Sequence, residues 1–436
     1  MLEIIIIALS GINFFIIFSS PIILFNKKIC NYLKTNLFDI LIANSVIYIN
    51  LLLFSSFFKI NYIYVYFILF SFSYFIFFSK FRDYLDLFKN NLKIFLLFFL
   101  ILLCLYIKIA YDPHLAWDGV HHWLFKAKTF FDGGFIKDIK GLPFEFYPHL
   151  GTYLWGFFWK NSYLQIEYFG RFLFIFLFVV SFFSCLNDFQ KNSRIAQSAL
   201  ILILIYLSTD LMLFRGYQEY LLFFTFYSCS RIFLLFEKKI LKKEYILIYL
   251  FLFGFSANIF LWTKQEGFFH FFIINTIFLI HSKIKLNYKL IYVGLIFSFL
   301  ILFLFIKVHF FGSFHFHEDV INKSLTENLI LSKLISKLFL ISKYVIMSFF
   351  KYPIWLLIII SLIFLFTKYR FFFKKNTYVI TFILLEFIFI YSIFLSLTSD
   401  LQMSLSLTLS RVVFPISGFL IYLIIDLLNF SYKSKK

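Results

Sequence analysis

Runs of about 20 mainly apolar residues recur along the whole chain, and no other feature constrains its fold as strongly. A helix of about 20 apolar residues crosses the hydrocarbon core of a bilayer, where lipid offers no hydrogen-bond partner to a non-helical backbone. The runs therefore predict an all-α polytopic membrane protein with about thirteen transmembrane helices. Their approximate ranges are 3–24, 36–58, 61–79, 93–110, 163–186, 195–213, 217–236, 245–262, 267–281, 289–309, 341–366, 377–396 and 411–429.

The composition supports a membrane protein and excludes several other classes. Hydrophobic residues make up 62% of the 436 residues, against roughly 45–50% in soluble domains. The formal net charge of +19 comes from Lys and Arg in short clusters between apolar runs, which is typical of topology signals and not of nucleic-acid binding. The four cysteines show no paired spacing, so neither a disulfide framework nor a zinc site is indicated.

The basic clusters also give a predicted orientation. They alternate along the chain with loops poor in Lys and Arg, and cytoplasmic loops carry the basic excess. The N-terminus and the polar stretch 112–162 are then periplasmic and the C-terminus is cytoplasmic. The residue usage is typical of AT-rich codons, so we expect a bacterial source and an inner-membrane location. The basic clusters lie in 27–34, 80–93, 191–194, 238–243, 283–289, 368–375 and 433–436.

The longest polar interruption, residues 111–162, is called the polar loop below. It predicts a division into an N-terminal three-helix membrane segment, 1–92, and a catalytic core, 93–436, which contains the loop. If 120–131 forms a short interfacial helix, Trp123 and Lys126 fall on one face, and Asp118 lies near its start, where the helix dipole stabilises a carboxylate. An ionised carboxylate beside a hydroxyl is a general base. The alternative is a solvated loop whose tryptophans anchor in the headgroup region.

Adjacent histidines in this loop raise the possibility of a metal site. His121 and His122, with neighbouring carboxylates, contain the donor types that a divalent cation binds, but their spacing matches no tight ligand motif. Neighbouring helical residues point about 100° apart, which makes it difficult for both to reach one ion. Histidines satisfied by other contacts are the alternative, and a divalent cation stays open.

Four further charged positions interrupt apolar runs on the same predicted outer side. Glu219 lies within one turn of an apolar span, where an acid is costly unless paired or hydrated, and Arg215 is either its partner or a substrate ligand. Lys264 lies in a polar turn that is a simple hairpin connection or a binding site. Arg411 starts the last predicted helix and suits either phosphate binding or anchoring at the membrane edge.

Taken in order, these stretches resemble the GT-C superfamily of membrane glycosyltransferases. The resemblance covers about residues 111–418 and is closest to bacterial members that use polyprenyl-phosphate sugars, similar to the dolichyl-phosphate-mannose mannosyltransferases. The segments that carry it are WDGVHHWLFKAKTFF, YPHLGTYLWGFFWK, EYFGR, GYQEYLLFF, WTKQEGFF and SRVVFP.

The resemblance implies a GT-C-like helical bundle with a large first periplasmic loop that bears short interfacial helices. It implies a polyprenyl-phosphate sugar donor, a glycan, lipid or protein acceptor, and a reaction on the periplasmic face without a certain cofactor. Asp118 matches the acid that acts on the acceptor hydroxyl. The implied acceptor cavity comprises Asp112, Trp123, Lys126, Tyr147, His149 and Glu219, although many relatives have Asp where this chain has Glu219. The implied donor-phosphate ligands are Lys264, Arg411 and Arg215.

Three other classes remain open. An O-antigen polymerase or ligase also has many helices and a large outer loop, but relies more on Arg and His in that loop. A lipid-linked-saccharide transporter or flippase is expected to show internal repeats and charges near the bilayer midplane, and no convincing repeat is present. A membrane protein without activity leaves the clustering of polar stretches on one predicted side unexplained.

Overall fold

The computed structural model describes residues 2–20, 37–189, 201–206, 213–239, 246–312, 331–368, 377–396 and 401–433. All regular elements in these ranges are helical, and the described residues contain no strand. The chain forms two compact units, Met1–Phe224 and Thr225–Lys436. The all-α prediction is confirmed.

The described part of the first unit contains seven complete α-helices, a short helical stretch at 201–206 and the start of a further helix. The main helices are α1 (Leu2–Ser19), α2 (Leu37–Ser55), α3 (Tyr62–Ser79), α4 (Phe81–Tyr111), α5 (Phe125–Phe131), α6 (Leu150–Lys160) and α7 (Glu167–Phe189). Helix α8 (Glu219–Lys239) begins in this unit and continues in the second.

Helix α7 is the centre of the first unit. It is apolar on all sides, and its span Glu167–Leu186 is completely buried, packed against α1, α2, α4 and α6. A helix that is hydrophobic all round is stable only when other helices or lipid surround it. Aromatic rings make many of the contacts, as in the stacked pair Tyr106 and Phe172, whose centroids are 3.9 Å apart. Helix α6, which lies within the polar loop, packs on this buried helix and attaches the loop to it.

Hydrogen bonds join the N-terminal helices to the polar loop. Ser56, just beyond α2, accepts a hydrogen bond from the backbone N–H of Ile136 at 3.1 Å. At the start of α3, the Tyr62 hydroxyl donates to the carbonyl oxygen of Gly134. The N-terminal helices and the polar loop are thus connected within the first unit.

Where the structure describes the second unit, it contains the rest of α8 and eight further helices. These are α9 (Ile246–Thr263), α10 (Gly267–His281), α11 (Leu286–Phe311), α12 (Leu331–Lys351), α13 (Pro353–Lys368), α14 (Thr377–Ser396), α15 (Leu401–Ser404) and α16 (Ser410–Lys433). Helix α9 packs on α10 and α11, α10 packs on α14, and α13 packs on α16. A π-helical turn, Leu405–Leu409, joins α15 to α16.

Within the described residues, nine helices are long and apolar enough to cross a membrane, and ten if one bent pair counts as a single span. The chain is thus a multi-pass membrane protein. The predicted span 267–281 is a helix of only 15 residues, about 22 Å long at 1.5 Å per residue. The predicted span 341–366 is broken by a 101° bend, where Pro353 begins a new helix after Tyr352. Most of 195–213 lies outside the described residues.

Candidate active site

The polar loop begins with a continuous helical segment. A π-helical turn, Gly119–Leu124, runs directly into α5, so the helix expected over 120–131 is present. Asp118 precedes the π turn, is half-buried, and makes no capping hydrogen bond with its side chain.

The predicted face of this helix is buried against α6. Trp123, Lys126 and Ala127 all lie on it, as expected, and are 0–2% exposed. The two helices approach closely because Gly156 of α6 lies on the Ala127 carbonyl, where a Cβ atom would overlap the oxygen. This face therefore holds the loop to α6.

Lys126 binds groups of the loop itself. Its ammonium donates to the Phe144 carbonyl and lies 5.8 Å and 5.6 Å from the ring centroids of Trp123 and Tyr147. Phe144 has a positive φ of 55°, which is uncommon for a bulky residue. The buried ammonium therefore stabilises an otherwise unfavourable turn through a charge-assisted hydrogen bond and cation–π contacts.

Tyr147 and His149 face different neighbours. The Tyr147 ring stacks on Phe144 at 5.3 Å between centroids and is 5.9 Å from the ring of Trp123. His149 is fully buried, and its Nε2 lies 2.8 Å from the hydroxyl of Ser56. His149 consequently connects the start of α6 to the end of α2, whereas Tyr147 belongs to the aromatic cluster around Lys126.

The structure brings the polar loop against the turn that precedes α8. The backbone N–H of Ala116 donates to the carbonyl oxygen of Arg215 at 3.2 Å. Gly119 packs on the same carbonyl so closely that a Cβ atom would overlap its oxygen. In the turn, Gly216 has a φ of +81°, a left-handed conformation that suits glycine. Two stretches about 100 residues apart in sequence thus form one surface beside Asp118.

Arg171 of α7 connects the two sides of this junction. It was not among the site residues predicted from the sequence. Its guanidinium donates to the carbonyl oxygens of Phe214 and of Pro113, the latter at 2.8 Å, and to the Glu167 carboxylate at 2.6 Å. It is 1% exposed. The detectable signal was EYFGR, since an arginine inside an apolar run is costly unless it is paired.

Charged groups at the start of the polar loop interact with one another. The Nδ1 atom of His114 lies 2.6 Å from the Asp112 carboxylate. This hydrogen bond, assisted by the positive charge of Arg215, lowers the pKa of Asp112 below its ordinary value. Asp112 is therefore ionised at neutral pH. The start of the loop thus brings together a carboxylate, an imidazole and a guanidinium that are at least partly exposed to solvent.

The first turn of α8 carries two buried polar side chains. Glu219 is 0% exposed at the helix N-terminus, where the dipole stabilises a carboxylate. The neighbouring Gln218 is also fully buried, and its amide packs on Gly151 at the start of α6. Within the described residues, neither amide atom of Gln218 has a hydrogen-bond partner. Glu219 was predicted from the sequence as a site residue, whereas Gln218 was not.

The paired histidines diverge. His121 stacks on Trp117 with centroids 4.6 Å apart, and its Nδ1 lies 2.9 Å from the Trp117 carbonyl oxygen. The ring of His122 lies 3.9 Å from that of Phe144 on the loop interior. In the part of the chain that the structure describes, no three His, Cys, Asp or Glu side chains are grouped so as to hold a metal ion.

The remaining predicted ligands belong to the second unit. Lys264 lies in the turn between α9 and α10, with its ammonium 2.6 Å from the Glu266 carboxylate. Arg411 is the second residue of α16 and is half-buried. Both lie at the ends of apolar helices, as the sequence predicted.

Comparison with known proteins identifies no relative: no family model, curated protein or solved structure matches the chain.

Proposed function

We propose that the chain is a membrane glycosyltransferase of the GT-C type that transfers a sugar from a polyprenyl-phosphate donor. Its helices would form a GT-C-like bundle in a bacterial inner membrane, with the polar loop on the periplasmic side. The acceptor would be a glycan, a lipid or a protein of the cell envelope. The proposal rests on the motif order in the sequence and on the packing of two of those motifs.

The observation that carries the proposal is the junction between the polar loop and the turn before α8. Both segments were selected by the same resemblance, and the Ala116 to Arg215 hydrogen bond joins them beside Asp118. Arg171, within the EYFGR segment, donates to the carbonyl oxygen of Pro113 in the polar loop and to that of Phe214 in the turn. Three of the resembling segments therefore meet at one place in the first unit. An active site assembled from separate segments requires such convergence.

In the proposed reaction, Asp118 accepts the proton of the acceptor hydroxyl. The acceptor oxygen forms a bond to the anomeric carbon while the bond from that carbon to the phosphate oxygen breaks. Polyprenyl phosphate leaves with the electron pair, and the anomeric configuration is inverted. A half-buried carboxylate at a helix start has the partial access to the acceptor hydroxyl that a base needs.

The leaving phosphate carries developing negative charge, which cationic side chains offset. Arg215 lies in the first unit, where its backbone carbonyl contacts Ala116 and Gly119 and its charge acts on Asp112. Lys264 and Arg411 stay predicted donor-phosphate ligands on the resemblance alone, and Lys264 would exchange its pairing with Glu266 for the phosphate. We assign a supporting role to four predicted cavity residues, because their side chains contact groups of the loop or the end of α2. These are Trp123, Lys126, Tyr147 and His149.

The test compares Asp118→Asn with Asp132→Asn. Asp132 is an exposed carboxylate in the same loop and serves as the matched control. Each variant is purified in detergent and assayed with radiolabelled polyprenyl-phosphate sugars and envelope acceptors. We expect Asp118→Asn to lower sugar transfer by at least about 100-fold, since general bases contribute roughly that factor or more. Asp132→Asn should retain transfer. Full transfer by Asp118→Asn would exclude Asp118 as the base.

A further inference from the structure

Helix α12 combines positive charge with apolar residues and is followed by a sharp bend. Its 21 residues include four lysines and no acidic residue. Helix α13, by contrast, has a single charge, at its last residue Lys368. The chain turns through 101° between the two helices. If α13 follows the membrane normal, α12 therefore lies close to the plane of the membrane.

One side of α12 packs on other helices of the second unit, namely α13, α14 and α16. The Ser342 and Tyr391 hydroxyls lie 2.7 Å apart, and the Lys351 ammonium donates to the Ser410 hydroxyl at 3.1 Å. Three residues are buried on this side, Ile341, Val345 and Ser348. The exposed residues of α12 therefore lie on its other sides.

A second side of α12 exposes large apolar side chains. Successive helical residues are about 100° apart around the axis, and four exposed apolar residues fall within an arc of about 60°. They are Ile335, Phe339, Ile346 and Phe350, which are 54–75% exposed. An apolar stripe of this kind on a membrane protein faces the lipid chains.

The third side carries lysines. On the same angular scale, with Ile335 at zero, Lys343 lies at about 80°, Lys351 at about 160° and Lys337 at about 200°. Lys343 and Lys351 are exposed, and Lys337 is half-buried. Met347 is also exposed in this arc. Three lysines thus occupy the arc between the apolar stripe and the buried side.

This arrangement distinguishes an interfacial helix from a spanning one. Lys343 lies near the middle of α12, so a spanning α12 would place an exposed ammonium near the centre of the hydrocarbon core, where a charge is costly. A helix in the membrane plane instead immerses its apolar stripe among the lipid chains and leaves its cationic side at the headgroups. Protein, lipid chains and headgroups then each meet one side of α12.

The charge of the third side selects the kind of headgroup. Zwitterionic headgroups carry no net charge, whereas the phosphate of an anionic phospholipid is not balanced by a cation of its own. Each lysine or arginine near an anionic membrane surface strengthens binding about fivefold. Helix α12 has no carboxylate that would oppose this attraction.

We infer that α12 lies in the membrane plane and binds the headgroups of anionic phospholipids through Lys337, Lys343 and Lys351. The ammonium groups donate to phosphate oxygens, and the apolar stripe lies on the acyl chains. Lys351 keeps its hydrogen bond to Ser410, since an ammonium has three donors. The inference does not depend on the proposed transfer reaction, because it requires only that the chain is a multi-pass membrane protein.

The first experiment measures the depth of α12 in phosphatidylcholine vesicles. Single cysteines replace the four residues of the apolar stripe, one at a time, in full-length protein without its native cysteines, and each carries a fluorescent label. Quenching by lipids with nitroxides at two chain positions gives the depth of each label. We expect similar depths at all four positions. In a spanning helix, Phe339 and Ile346 would lie about 6 Å deeper than the two outer positions, at 1.5 Å per residue.

Labels on α11 are the control, since α11 is long and apolar enough to cross the membrane. They replace three exposed residues, Leu286, Phe297 and Val308. The label at Phe297, in the middle of the helix, should be the deepest of the three.

The second experiment measures which phospholipid surrounds α12. A label at Ile346→Cys is quenched in mixed vesicles of phosphatidylglycerol and phosphatidylcholine, of which one is brominated, and the ratio gives their relative binding constant. We expect phosphatidylglycerol to be preferred at least about fivefold, the factor that one basic residue contributes. The combination of Lys337→Gln, Lys343→Gln and Lys351→Gln should abolish the preference, and arginine at the same positions should retain it.

The matched control combines Lys128→Gln, Lys137→Gln and Lys140→Gln, which remove the same charge from exposed positions of the polar loop. It should keep the preference at α12. If the triple α12 variant does not fold, Lys343→Gln at its exposed position decides and should lower the preference. Equal quenching by the two lipids, a preference that survives loss of the α12 lysines, or inner labels deeper than the outer ones would each overturn the inference.

Discussion

At the residue scale, buried cations in the first unit serve to fix backbone segments. Lys126 donates to the Phe144 carbonyl, and Arg171 donates to the Pro113 and Phe214 carbonyls. A charged group is removed from water at a cost that only several good hydrogen bonds repay. Each cation therefore stabilises one loop conformation strongly.

Replacing Arg171 tests this view. Arg171→Lys removes the planar fork that reaches two carbonyls and a carboxylate, and a lysine ammonium cannot reproduce that geometry. We expect a loss of about 3–5 kcal/mol in the free energy of unfolding, the magnitude typical of a broken buried pair. The measurement is the thermal transition of the purified protein in detergent.

The control is Arg82→Lys, because Arg82 is exposed near the start of α4. It should leave the transition temperature nearly unchanged. Equal effects of the two substitutions would show that Arg171 does not hold the junction between the polar loop and the turn before α8.

The sequence predicted the positions of several charged residues but not the groups that they contact. The positions of Asp118, Arg215 and Glu219 were predicted from polar interruptions, because charge next to an apolar run is visible in one dimension. The partners of Lys126 and His149 were not, since Phe144 and Ser56 come from turns whose contacts depend on tertiary packing.

At the element scale, most long apolar runs became helices at the predicted positions. The N-terminal runs 3–24, 36–58 and 61–79 correspond to α1, α2 and α3. The break at Pro353 could have been predicted, because proline cannot continue the hydrogen-bond ladder of the preceding helix. The wholly buried state of α7 could not, since an apolar run does not distinguish lipid from neighbouring helices.

Helix-to-loop packing at Gly119 provides a prediction at this scale. In Gly119→Ala, the new Cβ atom would overlap the Arg215 carbonyl oxygen, so the loop must move away from the turn before α8. Overpacking of this kind costs about 1–3 kcal/mol. We expect lower thermal stability together with reduced sugar transfer, measured on the same preparation.

Gly294→Ala is the corresponding control, because no atom lies within 4 Å of a Cβ built there. That substitution should be neutral or slightly stabilising, since alanine is favoured over glycine within a helix. Unchanged stability and activity in Gly119→Ala would contradict the tight junction between the loop and the turn.

At the scale of the whole molecule, the predicted orientation follows from the alternation of basic clusters. It can be tested by labelling single cysteines with a membrane-impermeant maleimide in intact cells, in a background without the native cysteines. We expect Lys140→Cys, exposed in the polar loop, to react from outside. Lys283→Cys, exposed in a predicted cytoplasmic loop, should react only after permeabilisation. The reverse pattern would place the polar loop in the cytoplasm.

The two units carry different chemistry in this account. In the first unit, Arg171 joins the polar loop to the turn before α8, and these two segments form the proposed active site. The second unit contains the predicted phosphate ligands Lys264 and Arg411. The sequence predicted the helical class and the main polar stretches, whereas the pairing of those stretches emerged only from the fold.

The central claim is that a polyprenyl-phosphate sugar is the donor, and release of polyprenyl phosphate by the purified protein tests it most directly. With envelope acceptors present, we predict that one polyprenyl phosphate is released for each sugar transferred, and that nucleotide sugars do not replace the lipid-linked donor. The absence of release with every polyprenyl-phosphate sugar offered, or equal transfer from nucleotide sugars, would contradict the account.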